Sequence, residues 1–380
     1  MVKPVATATA ERYQQRAEHT VLVLQGGGAL GAYQAGVYEG LTEVGFAPDW
    51  VTGVSIGAIN AALIAGNPPE TRIAKLREFW ERVSAGMPLI TPAAFDSMRR
   101  TLNMFSASSS ATFGVPGFYF PRMSLPFFAA EGTASALSFY DTSPLRNTLL
   151  ELVDFDRINA GTMRFAVGAV HVRSGNSIYF DNFTPDMVIG PEHVMASGAL
   201  PPSFAPVTIK GEAYWDGGIV CNTPLWYVLD DDPHLRALIL QVDLFSARGE
   251  MPVNMDEVLE RQKDIQYSSK TRMNTNRVQD LEALRESLAR VLERLPAKLK
   301  SDPDVKALAR VAEGRRVSVV QLINRRLEHS SQFKDNEFSR TTVHALWASG
   351  RDAVRQTALH PDWQKACAAR RGLHAYDLIR

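Results

Sequence analysis

The 380-residue sequence predicts an α/β fold with a mostly parallel central sheet, and three observations carry that reading. Short apolar, β-branched runs lead into glycine-rich turns and then into segments of 3.6-residue periodicity, twice within the first 65 residues. Residues 19–38 and 50–69 carry no charge at all, as expected where a parallel sheet is covered on both faces. The composition, 45% apolar and 22% charged, is that of an ordinary folded chain, and at roughly 150 residues per domain its length allows two or three structural units.

Residues 1–18 read as a flexible tail without the continuous apolar stretch of a secretory leader. Thr20 to Leu24 then reads as the first strand, β-branched and halted by glycines. From Ala32 the pattern turns helical, with Val37, Leu41 and Val44 at spacings of four and three until Gly45 stops it. A second strand, Trp50 to Val54, and its helix, Ile56 to Ala65, repeat the unit and place parallel strands side by side through right-handed crossovers. Gln25, the Gly26–Gly28 run, Gly53, Ser55, Gly57 and Asn60 interrupt both uncharged stretches, which argues for buried strand-turn-helix units and against membrane spans of about 20 residues.

Arg72 to Val83 reads as a further helix. From Ser84 to Tyr140 periodicity gives way to Gly, Pro, Ser and aromatics, the mark of a long lid-like insertion (84–140). Ser143-Pro144 opens a helix in the N-cap and N1 pattern, continued by Leu145, Leu149, Leu150 and Val153. Met163 to Val172 and Ser177 to Phe180 read as strands, and His193 to Ala199 as a short helix stopped by Pro201-Pro202. Val207 to Ile209 and Ala213 to Trp215 form a hairpin about Gly211, and Leu235 to Phe245 is a strong apolar strand. These divide the chain into a catalytic region, 19–250, and a mainly helical extension, 251–380. In the extension Leu281, Leu284, Leu288, Val291 and Leu295 form a heptad seam, which predicts a helical hairpin packed on its own protein, with a coiled-coil partner as the alternative. A strand at Arg316 to Ile323 and a helix from Glu337 to Leu359 return the extension to the sheet edge.

Gly53-Val54-Ser55-Ile56-Gly57 is a G-x-S-x-G pentapeptide between a predicted strand and a predicted helix. Flanking glycines permit a tight turn that presents the Ser55 hydroxyl at the top of the sheet, with a helix N-terminus aimed at it. The loop Gln25 to Gly31 places Gly26, Gly27 and Gly28 where backbone N–H groups can approach an oxyanion. Gly26, Gly28 and Gly31 also match G-x-G-x-x-G, so a dinucleotide-binding oxidoreductase stays open as an alternative. It requires an acidic residue at the end of the next strand, whereas Asp49 precedes that strand. Asp216-Gly217-Gly218 follows a short strand, and a partly desolvated Asp216 has the basicity to take the serine proton. A Ser-Asp-His triad is the competing arrangement, with His234, His329, His344 and His360 downstream. Ala196 to Pro201 is a small-residue segment suited to packing behind the site.

Taken in order, the glycine loop, the pentapeptide, the Ala196–Pro201 segment and Asp-Gly-Gly make the chain resemble the patatin-like phospholipases over about residues 19–245. The resemblance implies a patatin-like three-layer α/β/α fold and hydrolysis of lipid acyl esters by a Ser-Asp dyad, with no cofactor or metal. Ser55 would be the nucleophile, Asp216 the general base and the Gly26–Gly28 loop the oxyanion hole, with Gly31, Gly53, Gly57, Gly217 and Gly218 completing the motifs. Where the family's loop commonly carries an arginine, this sequence has Leu30, which puts cationic help with a head group in doubt. A catalytically silent scaffold that uses the extension for interactions is the other alternative.

Lys and Arg (41) balance Asp and Glu (41), so no whole-chain footprint for nucleic acid exists. The balance is a cancellation: residues 251–380 hold 24 basic against 17 acidic side chains, which favours docking on the acidic remainder or on an anionic membrane. Cys221 and Cys367 allow neither a disulfide framework nor a zinc site. The expected partners are a lipid or acyl-ester substrate, a membrane touched peripherally and no nucleic acid, with a homo-oligomer open; the expected location is cytoplasmic. Phe105, Phe113, Phe118, Tyr119, Phe120, Phe127 and Phe128 suit a lid or acyl-chain wall, with a closed flap that never meets lipid as the alternative.

Overall fold

The computed structural model describes residues 19–84, 96–232, 235–269, 271–325, 332–368 and 372–379. The expected tail, 1–18, lies outside them. The main sheet has nine strands in the order β11-β10-β9-β1-β2-β5-β8-β7, with β6 also on β5. In chain order they are β1 (His19–Leu24), β2 (Trp50–Val54), β5 (Arg164–His171), β6 (Ser177–Asp181), β7 (Val207–Ile209), β8 (Glu212–Asp216), β9 (Arg236–Asp243), β10 (Arg316–Ile323) and β11 (Gly372–Tyr376). The remaining strands, β3 (Phe120–Pro121) and β4 (Tyr140–Asp141), pair only with each other. From β11 to β5 every pairing is parallel, while β6 and β8 run antiparallel to β5.

Alternate residues of the strands enter two different cores, as the two-residue period requires. Leu22, Leu24, Leu240 and Val242 pack with the Ala32–Glu43 and Ile56–Ala65 helices, whereas Val21, Val23 and Ile239 pack with Leu225–Asp231 on the opposite face. The fold is therefore the three-layer α/β/α expected. The extension adds β10 and β11 to the same sheet, so its helices are joined to a continuous hydrogen-bonded edge.

The structure departs from the sequence reading in several elements. Asp96–Phe113 is a helix where no periodicity was legible, and a short helix, Ala134–Leu137, follows in the same stretch. Thr142, one residue earlier than expected, caps the Ser143–Leu152 helix. In the extension, Thr271–Glu293 is the heptad helix and packs against Pro303–Glu313, but Leu281, Leu284 and Val291 are exposed, so much of the seam faces solvent. Among the described residues no helix is long and apolar enough to cross a membrane.

Candidate active site

Strand pairing explains why Ser55 and Asp216 meet. β2 pairs with β5 as far as Val54 opposite Gly168, and Ser55 follows immediately. Residues 169 and 170 of β5 pair with both β6 and β8, so these two strands must occupy opposite edges of β5. β8 therefore takes over the edge that β2 vacates, running the other way, and Asp216 opposite Ala169 arrives head-on at Ser55. The Ser55 side chain lies close enough to the Asp216 carboxyl to favour its charged form, and that carboxylate accepts the Gly218 amide at 2.7 Å.

Ser55 sits at φ 57°, ψ −123°, a conformation costly for a side chain that bears a Cβ. Its amide holds it there by reaching both the carbonyl and the hydroxyl of Ser197, each at 3.1 Å. The Ser197 hydroxyl in turn donates to the Gly168 carbonyl at 2.5 Å, and two residues on the Ala199 carbonyl accepts the Asp216 amide at 3.0 Å. The segment expected to pack behind the site thus bonds the backbones of both residues, fixing their spacing. Gly53 and Gly57 serve close approach: a Cβ on the first would strike the Gly57 carbonyl, and on the second the Leu24 carbonyl. Cβ atoms on Gly31 and Gly217 would likewise strike Ile56 and the Gly168 carbonyl.

Burial dominates the Asp216 environment. It pushes the carboxyl up to about 6, against the opposing pull of the Ser55 side chain and the Gly218 amide. No histidine bonds Asp216 among the described residues. His344 is exposed on the Arg340–Leu359 helix, and His360 ends that helix with its Nδ1 accepting the Asp362 amide. His234 and His329 lie outside the described residues.

The glycine loop sits at the N-terminal end of the short 3₁₀ turn Gly28–Gly31 and the Ala32–Glu43 helix that follows. Gly28 has φ 55°, which a glycine adopts freely. The Gly26 amide donates to the Asn222 carbonyl at 3.1 Å, so of the three expected donors this one is already spent. The Gly27 and Gly28 amides have no acceptor among the described residues. Leu30 is buried in the core and supplies no cation at the loop.

Asp49 lies at the start of β2, where its carboxylate accepts the Thr20 amide and faces His19, a strand's length from the glycine loop. That placement leaves the dinucleotide reading without its ribose-binding carboxylate. A cavity of about 310 Å³ is lined by Phe113, Val115, Tyr119, Phe120 and Phe338, but not by Ser55 or Asp216, so it belongs to the insertion and not to the turn that bears Ser55. The expected aromatic wall divides. Phe118 and Tyr119 are buried against Phe204 and Phe338, whereas Phe105, Phe113, Phe120, Phe127 and Phe128 face solvent.

Three residues without an expected role hold the site: Gln25 and Ser197, inside the glycine loop and the Ala196–Pro201 segment, and Asn222, outside every motif. Gln25 had a legible signal, an amide ending an apolar strand before three glycines, but Asn222 is a single polar residue in a turn. Its partners lie about 200 and 45 residues away, at distances along the chain that no local pattern spans.

With this geometry in hand, the comparisons decide the family. A model of patatin-like phospholipases matches residues 22–229, more than half of the chain. The chain belongs to the patatin-like phospholipase family. A second model, described as patatin phospholipase, matches residues 265–370 of this family member, within the extension. No protein of curated function matches it in sequence. Among solved structures, VipD from Legionella pneumophila is similar at 15% identity and a TM-score of 0.37, covering 89% of this chain and 66% of its own. A chain of the ExoU–SpcU complex from the type III secretion system of Pseudomonas aeruginosa is similar at 19% identity and TM-score 0.30, covering 77% and 59%. A further structure of full-length ExoU with SpcU gives 18%, 0.28, 92% and 73%. This phospholipase-family chain spans less than two thirds of the length of the first two.

Proposed function

We propose that the protein is a serine hydrolase of lipid acyl esters, a phospholipase A or related carboxylic ester hydrolase. The observation that carries this reading is the meeting of Ser55, at the strained turn between β2 and its helix, with the buried Asp216 carboxyl. Asp216 accepts the hydroxyl proton as Ser55 Oγ attacks the ester carbonyl. The carbonyl electron pair moves onto oxygen, for which the Gly27 and Gly28 amides, without an acceptor among the described residues, are the donors, and the N-terminal end of the Ile56–Ala65 helix favours the developing negative charge. Collapse of that intermediate breaks the ester C–O bond, and the alcohol leaves with the proton held by Asp216. Water, deprotonated in turn by Asp216, then attacks the acyl-serine; the acyl–Oγ bond breaks, Asp216 returns the proton to Ser55 Oγ, and the fatty acid leaves.

Substrate of this kind lies in an interface. From Met104 to Phe139 the only charged side chains are Arg122 and Glu131, and Phe113, Phe127 and Phe128 are 76%, 83% and 84% exposed. Large aromatic side chains this exposed, on a stretch this poor in charge, suit contact with an apolar phase better than with water alone. The stretch is joined to the site through backbone bonds from Phe139 and Tyr140 to the carbonyls of Pro202 and Ser203, just beyond the segment that holds Ser55 and Asp216. We assign it as a peripheral lipid contact.

A fluorophosphonate probe tests the nucleophile. Purified protein should be labelled at Ser55, and Ser55→Ala should lose both labelling and esterase turnover while keeping its circular dichroism spectrum. Turnover retained by Ser55→Ala overturns the assignment, and a wild-type protein inert to probe and esters supports the silent scaffold instead.

A further inference from the structure

A loop of three glycines has no side chains to hold it, yet oxyanion donors must be fixed to within about half an ångström before reaction. The catalytic region supplies two fixings, and both end on the same acceptor outside it. Gln25, fully buried, accepts the amides of Leu244 and Phe245 at 2.6 and 2.9 Å; its Nε2 donates to Thr223 Oγ1 at 2.7 Å and to the Tyr267 carbonyl at 3.1 Å. Asn222 Nδ2 donates to the Gly26 carbonyl at 3.1 Å and to the same Tyr267 carbonyl at 2.9 Å. Tyr267 ends the Met255–Tyr267 helix, where carbonyls have no partner within the helix and the dipole is negative, so its oxygen is suited to take both donors.

The other flank of the loop is covered by a second piece of the extension. A Cβ on Gly28 would collide with the carbonyl oxygen of Asp335, in the short turn Lys334–Asn336. That turn is cross-linked to the Met255–Tyr267 helix. Lys263 Nζ reaches the Asp335 carboxylate at 2.7 Å and the Gln332 carbonyl at 2.8 Å, and Lys334 Nζ reaches Asp264 at 2.6 Å and Glu260 at 3.2 Å. These groups are mostly buried, so salt screens them less than surface pairs.

We propose that the Met255–Tyr267 helix and the 332–336 turn form an ion-paired clamp that sets the positions of the Gly27 and Gly28 amides. The extension is then a positioning part of the catalytic centre. Asn222 and Gln25 transmit the clamp, joining residues of the two separately matched family regions. The inference rests on the reading of Ser55 as nucleophile and of the glycine amides as oxyanion donors.

The test breaks the clamp in the full chain with Lys263→Ala/Lys334→Ala, and separately with Asn222→Asp, which keeps the shape but cannot donate. Fluorophosphonate labelling rate, kcat and KM on a soluble short-chain ester are measured where circular dichroism shows intact fold. Misplaced donors should lower kcat and the labelling rate on the order of 10- to 100-fold and leave KM within about threefold. Lys263→Arg/Lys334→Arg should restore most of the loss, since it keeps both charges. Unchanged kcat and labelling in either folded variant overturns the clamp, as does a raised KM at unchanged kcat. A wild-type chain that the probe does not label would instead remove the proposed function, which separates the two failures. If the double variant does not fold, Asn222→Asp decides by the same criteria.

Discussion

Asp216 is the residue on which chemistry and stability oppose each other. Its carboxyl, raised to about 6 by burial, is charged at neutral pH at a cost to the fold, but in the proposed mechanism that charge accepts the serine proton. Two outcomes follow, with signs that can be worked out. Esterase activity should rise with pH along a limb of apparent pKa about 6, because only the carboxylate acts as base. Stability should run the other way. The folded chain binds this proton more tightly than the unfolded chain, with its ordinary value of 3.8, so unfolding free energy falls as pH climbs from about 4 through 6 and levels off above. Asp216→Asn should therefore lower kcat on the order of 10²- to 10⁴-fold. At pH 8 it should stabilise the protein by an amount on the order of 3 kcal/mol, read by urea unfolding at pH 5 and pH 8. Asp243, also buried and raised to about 7, adds a slope of the same sign that the variant leaves in place. Stability of Asp216→Asn equal to wild type at pH 8 would refute the burial account.

Among the elements, the exposed aromatic stretch carries the clearest expectation. Phe127 and Phe128 belong to a 3₁₀ turn with no buried residue, so replacing both by Ser removes apolar surface without opening a cavity. The double variant should lose about tenfold or more of its activity on phosphatidylcholine vesicles and keep its activity on a soluble short-chain ester; an equal fall on both would leave a closed flap as the better description. The same region shows where the sequence was opaque. β1, β2 and their helices were legible to within a residue because continuous apolar runs end at glycines that the backbone requires. The Asp96–Phe113 helix was not, since its Ser-Ala-Ser-Ser-Ser run is made of weak or neutral helix formers and Phe105 and Phe113 do not point to any core. β11 was missed for a related reason, because Gly372 and His374 break an alternation that only pairing with β10 supplies. The dyad and glycine loop were readable as motifs, but the spent Gly26 amide and the Tyr267 anchor follow from tertiary contacts alone.

At the scale of the whole molecule, the charge split between the two regions invites an electrostatic account of how the extension docks, and the contact itself argues otherwise. Arg351 and Arg355 of the Arg340–Leu359 helix do face Glu39 and Glu43 of the Ala32–Glu43 helix, at 4.0 and 2.8 Å. Arg355 is exposed, and Arg351 is partly exposed and no nearer than 4.0 Å to its partner, so pairs of this kind contribute about 1 kcal/mol or less each. What sets the approach is backbone. A Cβ on Gly36 would enter the Trp347 carbonyl and one on Gly350 the Tyr33 carbonyl, so the two helices touch through positions that only hydrogen can fill. Around them Val343, Leu346 and Val354 complete an apolar seam with Tyr33, Val37 and Leu41. Raising salt to about 0.5 M, where the Debye length falls below 5 Å, should thus change unfolding free energy by less than about 1 kcal/mol. Gly350→Val, which forces the helices apart, should cost about 1–3 kcal/mol or more. Because this helix begins shortly after the Lys334–Asn336 turn, the same variant should also slow fluorophosphonate labelling of Ser55, while salt leaves that rate nearly unchanged. Urea unfolding and labelling, each at low and high salt, decide the matter: a loss in salt as large as the loss from Gly350→Val would return the docking to charge.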